Sequence, residues 1–263
     1  MSEGNSIGNS PAVELVNPEG SGVALLLCEH ASSHVPRRYG GLGLREEWRE
    51  SHAAWDPGAR AVALRLAQAL DAPLVASRVS RLVYDCNRPP DSAGAMPVLS
   101  EVVEVPGNRD LTPEQCEERI ATVYRPFCDA VSALIAARRG RGLPTVLITV
   151  HSFTPVFYGQ RRETEIGILH DEDSRMADAM LAEAGRLPGR RVERNRPYGP
   201  EDGVTHSLKI HGIAQGLANV MIELRNDLVA DEAGVEAMAR DLMTMIEPAL
   251  AALGLAGEGR AHA

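Results

Sequence analysis

Three strand-length, mainly apolar runs each deliver ionisable side chains, and no other feature constrains the fold of this chain as strongly. Val23–Cys28 (VALLLC) runs into Glu29-His30, and Thr145–Val150 (TVLITV) runs into His151-Ser152. Ala218–Leu224 (ANVMIEL) carries Glu223 and runs into Arg225-Asn226-Asp227. Continuous apolar runs of this length fit strands covered on both faces. Helical spacing fills the intervals. Pro57–Leu70 repeats Ala59, Val62, Ala63, Leu66 and Leu70, with Asp56 and Pro57 placed as N-cap and first helical residue. Thr112-Pro113-Glu114 opens a helix predicted to reach about Arg139, bend at Pro126 and end on the basic pair Arg138-Arg139. Ser174–Ala184 and Asp231–Leu253 read as helices, the second bent at Pro248. Leu74–Ala76, Leu82–Tyr84 and Glu165–Leu169 are shorter strand candidates. Strands alternating with helices predict an α/β fold: a mixed, mostly parallel central sheet flanked by helices.

Composition narrows the class further. A chain of 263 residues, 44% of them hydrophobic, can bury one large core. No internal repeat or change of composition marks a second unit. A single domain is expected over 23–255, with flexible tails at 1–22 and 256–263. Asp91–Asp110, which holds Pro97, Pro106 and Gly107, reads as a lid-like loop. A formal net charge of −9 argues against a nucleic-acid or anionic-membrane surface, and no apolar run approaches the ~20 residues that cross a bilayer. Met1–Ser10 lacks the basic and apolar regions of a signal peptide. The four cysteines, Cys28, Cys86, Cys116 and Cys128, show no CxxC spacing. A cytoplasmic location is therefore expected. Cys28 and Cys86 read as small buried hydrophobes, and the oligomeric state is not legible.

In open α/β sheets ligands bind beyond the carboxyl ends of the strands, so the polar residues there are the ones to read for chemistry. Two histidines and a carboxylate at strand ends can make a three-ligand zinc site with a position open to water. Arginines nearby, as in Ser80–Arg88, suit a carboxylate. Each residue also has a bland reading. A histidine after a strand is commonly a loop residue, and an Asp before a Pro is commonly a helix cap. Glu223, inside an apolar run, either faces a site or pairs with Arg225, since an unpaired buried carboxylate costs several kcal/mol. No P-loop, GxGxxG or HExxH sequence occurs, which removes the commonest nucleotide and zinc-protease readings.

The ordered strings CEHASSHVP, HAAWDPGA, SRLVYDCNRPP, TVHSFTP, EIGILHD, NRPYGPEDGVTHSL and NVMIELRNDL resemble the N-formylglutamate amidohydrolase family from about Leu25 to Leu228. The resemblance implies a zinc-carboxypeptidase-like (phosphorylase/hydrolase-like) fold, related to the aspartoacylase group, and a zinc-dependent hydrolysis of an N-acyl amide. By position it makes His30 and His151 metal ligands, Glu223 the general base, and Asn87 and Arg88 the anchors of a substrate carboxylate. The wider group takes its first two ligands from His-x-x-Glu, whereas Ser33 stands three residues after His30. Asp56 is the first choice for the missing ligand and His34 the second. Glu29 is disfavoured because adjacent strand residues point to opposite faces. Arg81 is expected to stabilise the oxyanion beside zinc, and Arg161 and His206 to touch a second carboxylate or the leaving group. The implied substrate is a small anionic N-acyl amino acid such as N-formyl-L-glutamate. Deacylation of another N-acyl amino acid, or carboxylate binding without catalysis, are the alternatives.

Overall fold

The three apolar runs form the middle of a seven-stranded sheet. A computed structural model of the chain describes residues 11–255. In chain order the sheet strands are β1 (Val13–Val16), β2 (Ala24–Cys28), β3 (Leu74–Ser77), β4 (Val146–Phe153), β5 (Ile166–Leu169), β6 (Val192–Arg194) and β7 (Asn219–Arg225). Across the sheet they lie in the order β1-β3-β2-β4-β7-β5-β6. β3, β2, β4 and β7 are mutually parallel. β1 pairs antiparallel with β3 at one edge, while β5 pairs antiparallel with β7 and parallel with β6 at the other. This is the mixed, mostly parallel sheet expected.

The helices are α1 (Ala59–Ala69), α2 (Pro113–Gly140), α3 (Arg175–Ala182) and α4 (Glu232–Ala252). Alternation along the central strands sends successive side chains to opposite faces. Leu26, Ile148, Val150, Ile222 and Leu224 pack with α1, α3 and α4. Leu25, Leu27, Leu147 and Met221 pack with α2 and the long loops. His151 and Glu223 continue the second set, and the strand register places them side by side. The sheet thus carries both to its loop-covered face. By length and composition α2 could cross a bilayer, yet it lays Phe127, Val131, Leu134 and Ile135 into this core.

Several sequence expectations change. The expected tail 1–22 contains β1, and Met1–Ser10 and 256–263 lie outside the described residues. Two contacts fix this part of the chain: Arg60 grips Glu14 through two hydrogen bonds of 2.9 and 2.8 Å, and Arg138 donates to the Gly20 and Gly22 carbonyls. Arg138, in the last turn of α2 as expected, is also a buried clamp. Leu82–Tyr84 is a turn, not a strand, with Ser80 Oγ accepting from the Leu82 N–H at 3.2 Å. Asp56 does not cap α1; Gly58 occupies the N-cap and makes no side-chain bond. In α2 the irregularity is a π turn over Ile120–Tyr124, just ahead of Pro126. α4 continues through Pro248.

Candidate active site

Three buried side chains converge at the carboxyl ends of β2 and β4, with His30 just past β2 and His151 within the last residues of β4. Asp56 Oδ2 lies 3.2 Å from His30 Nδ1 and 2.9 Å from His151 Nδ1, and the two imidazole nitrogens are 3.1 Å apart. The backbone fixes this arrangement. The Asp56 N–H donates to the His30 carbonyl at 2.9 Å, and Ser152 donates its N–H to Asp56 Oδ2 and its hydroxyl to the Pro57 carbonyl at 2.7 Å. Gly58 then turns the chain into α1 at φ +80°, where a Cβ would stand 2.4 Å from Val229 Cγ2. Only glycine fits there.

Both Nδ1 atoms face the same point, and a buried carboxylate stands behind each far nitrogen. His30 Nε2 is 2.7 Å from Asp85 Oδ1, and His151 Nε2 is 3.2 Å from Glu29 Oε2. The second contact has ion-pair distance without hydrogen-bond alignment, and both Glu29 oxygens lack a hydrogen-bond partner. Carboxylates placed behind histidines in this way set the tautomer and orient the ring toward a metal. Arg81 joins the cluster from the side, with Nη2 2.7 Å from Asp85 Oδ2 and Nη1 3.3 Å from Asp56 Oδ1.

The donor set fits a zinc-like divalent cation. Ligand atoms 2.0–2.1 Å from zinc in a tetrahedron stand about 3.3 Å apart, close to the three separations here. His34, the alternative to Asp56, is exposed and outside the cluster. His30, Asp56 and His151 are the group that could hold an ion among the described residues.

Electrostatics separate the carboxylates. Burial acts to raise the Asp56 and Asp85 carboxyls, but the positive charge of His30, the hydrogen bonds from histidine and the Arg81 guanidinium hold both well below the usual range. Glu29 is also lowered, its burial outweighed by the charge of His151. Burial would lower the His151 imidazole, but Glu29 and Asp56 raise it well above its ordinary value. Glu223 goes the other way. Burial pushes it up to about 7, against the charge of His151 and reinforced by Asp56. Its Oε2 is buried without a hydrogen-bond partner, and Arg225 turns instead to Asp227 at 2.8 Å and Glu165 at 3.5 Å. The Glu223–Arg225 pair is therefore not formed.

Glu223 and the His-Asp-His cluster line one cavity of about 200 Å3, together with Arg81, Asn87 and Arg88. Asn87 spends its amide on the loop opposite, donating to the Val204 carbonyl and accepting from the Ser207 N–H at 2.9 Å. Arg88 donates to the Gly203 carbonyl at 2.7 Å. Two expected contacts are not brought there. Arg161 is 73% exposed on the hairpin Val156–Phe157/Gln160–Arg161 and pairs with Glu163. His206 lies against Tyr124, 2.8 Å from its hydroxyl, and burial lowers its pKa. The neighbour Arg162 is the residue that turns inward, stacking on Phe153, Phe157 and Tyr198. The Asp91–Asp110 segment does reach the site. Its hairpin Leu99–Ser100/Val103–Glu104 sets Glu101 at the rim, 2.7 Å from His52 Nε2.

The chain is similar in sequence and fold to known proteins. The sequence matches the family model of N-formylglutamate amidohydrolase over residues 23–230. The gene product Atu2144 from Agrobacterium tumefaciens, whose crystal structure is known, is 53% identical, with a TM-score of 0.90 over 92% of this chain and 96% of that one. An N-formylglutamate amidohydrolase from Ralstonia eutropha JMP134 shares the fold at 19% identity, with a TM-score of 0.67 over 90% of this chain and 97% of that one. An aspartoacylase family protein from Mesorhizobium loti MAFF303099 is more distant, at 16% identity and a TM-score of 0.35, over 96% of this chain and 70% of that one. Among curated proteins none matches.

Proposed function

This chain belongs to the N-formylglutamate amidohydrolase family, hydrolases of amide bonds, and from that premise we propose that it is a metal-dependent amidohydrolase removing the N-acyl group, formyl first, from a small carboxylate-bearing amino acid such as N-formyl-L-glutamate. One observation carries the reading. Two histidines, each backed by a buried carboxylate, meet Asp56 in a cavity that also holds the unpartnered carboxylate of Glu223.

His30, Asp56 and His151 would hold the cation, with zinc the first choice for one carboxylate and two imidazoles. A cation there supplies Lewis-acid polarisation of the scissile carbonyl and of the attacking water. Glu223 takes one proton from that water as its oxygen adds to the acyl carbon. It then gives the proton to the amine nitrogen as the C–N bond breaks, releasing formate and the amino acid. A carboxyl raised toward neutrality can both accept and return a proton at working pH. Arg81 lies beside the ligands and turns a guanidinium toward the charge that develops on the carbonyl oxygen. Arg88 anchors the substrate carboxylate, and Asn87 holds the Val204–Ser207 loop around it. Four free cysteines accord with a cytoplasmic setting.

A panel of N-formyl and N-acetyl amino acids, assayed with zinc for formate or acetate release, tests the reading. Formyl substrates should be cleaved, and faster than acetyl ones. No release from any member contradicts it.

A further inference from the structure

The cations around the cavity differ in what neutralises them. Arg81 is committed to Asp56 and Asp85, and the rim imidazole His52 lies against Glu101. Arg161 pairs with Glu163, and Arg225 with Asp227 and Glu165. Arg88 and Arg162 make no ion pair among the described residues. Arg88 Nη1 rests on the neutral carbonyls of Gly203 and Asn87, at 2.7 and 3.1 Å, and Arg162 Nη1 on the neutral hydroxyl of Tyr198, at 2.9 Å. The reading above sets one substrate carboxylate on Arg88. A second guanidinium without a counter-charge, so close to the same cavity, suits a second carboxylate.

Arg162 is held in place. Its N–H donates to the Pro155 carbonyl at 2.8 Å, and its own carbonyl accepts from Arg225 Nη1 at 3.4 Å. The guanidinium carbon lies 4.3 Å from the Phe157 centroid, 4.7 Å from that of Tyr198 and 5.6 Å from that of Phe153. These cation–π contacts keep the charge half-buried, where it attracts an anion more strongly than in bulk water. The three rings border the cavity, whereas Arg162 stands outside its lining. Arg162 meets the cavity through Tyr198. The Tyr198 hydroxyl accepts from Arg162, which leaves its own O–H to donate. Burial raises the pKa of that hydroxyl, reinforced by Glu223 and opposed by Arg162, so the phenol keeps its proton.

We infer that Tyr198 and Arg162 form the subsite that reads the substrate's side-chain carboxylate: the acid accepts from the Tyr198 hydroxyl and takes the Arg162 guanidinium as its counter-charge, while Arg88 holds the α-carboxylate. This inference rests on the amidohydrolase reading above and names the pair of residues that distinguishes an acidic side chain from its neutral amide. Neither residue moves a proton in the reaction, so the effect belongs to binding. A hydrogen bond to a charged group is worth about 10- to 100-fold in affinity.

The test is kcat and KM of the zinc-loaded full chain on N-formyl-L-glutamate and N-formyl-L-glutamine, which differ by one charge at nearly constant shape. Glutamate should lead by about tenfold or more in kcat/KM. Arg162→Gln should erase that lead by raising KM for glutamate, with glutamine turnover nearly unchanged. Arg162→Lys should keep part of the lead because it keeps the charge, and Tyr198→Phe should reduce it. Glutamine turned over as well as glutamate by the unaltered chain overturns the inference and leaves the amidohydrolase reading standing, as does turnover of other N-formyl amino acids but of neither of these. Equal losses on both substrates in Arg162→Gln make Arg162 a clamp for the rings alone and overturn it too, and so does an undiminished lead. Turnover of no N-formyl amino acid removes the amidohydrolase reading, and this inference with it.

Discussion

Replacing Glu223 by Gln should make the metal-free protein more stable at alkaline pH and the enzyme nearly inactive. The two effects have one origin. Glu223 is buried beside Asp56, and its carboxyl is pushed up from 4.5 to about 7. A carboxyl raised on folding favours its protonated form in the native state. Its contribution is fully present below the unfolded value and is lost as pH rises through the folded one. At about 1.4 kcal/mol per pKa unit, ionised Glu223 costs the metal-free fold roughly 3 kcal/mol at pH 8, and little near pH 4. Gln keeps the shape and never ionises. Urea unfolding of both metal-free proteins should give similar stabilities near pH 4 and a more stable variant at pH 8. Turnover of the zinc-loaded variant should fall about 100-fold or more, the range of a general base. A structural ion-pair partner would behave in the opposite sense, because breaking a buried pair costs about 3–5 kcal/mol. A variant less stable at pH 8, or one with near-normal turnover, would refute the assignment.

Three further outcomes follow from the same cluster. Glu29→Leu should weaken zinc binding about 10- to 100-fold by calorimetry, with Glu29→Gln retaining more of the affinity because it can still reach His151 Nε2. Arg81→Met leaves Asp56 and Asp85 without their shared counter-charge; turnover should fall about 100- to 1000-fold, and the loss should be larger in kcat than in KM. Glu223 must be ionised to accept a proton, so kcat/KM should rise with pH along a one-proton limb. A bound dication lowers that limb below the metal-free value of about 7, and the limb should be absent from what activity remains in Glu223→Gln.

The central strands are legible in the sequence because they are buried on both faces, which leaves long apolar runs. β1 is not. It is a four-residue edge strand, mostly half-buried, and the contacts that fix its part of the chain, Arg60 to Glu14 and Arg138 to Gly20 and Gly22, come from residues 46 to 118 positions away. Leu82–Tyr84 has a strand's composition, yet its burial is achieved by a turn whose N–H groups are satisfied locally. His30, His151 and Glu223 stand out as ionisable groups at the ends of, or inside, apolar runs. Asp56 can be read there only beside a departure from the family's ligand spacing, since locally it looks like a helix cap. Glu29 and Asp85 stay hidden for another reason. Side-chain parity disfavours Glu29 as a direct ligand, but it cannot show that the same carboxylate reaches the far nitrogen of His151. Arg161 and Arg162 illustrate the same limit: which of two adjacent arginines turns inward is decided by the rings across the hairpin.

Zinc titration of the stripped protein tests the central claim most directly. Formate release from the best N-formyl amino acid, followed as zinc is added to metal-free chain, should rise linearly, break at one equivalent per chain and vanish on chelation, with His151→Ala giving neither the break nor the activity. Release that is unchanged by stripping the metal, or a normal one-equivalent break in His151→Ala, would contradict a metal centre at His30, Asp56 and His151.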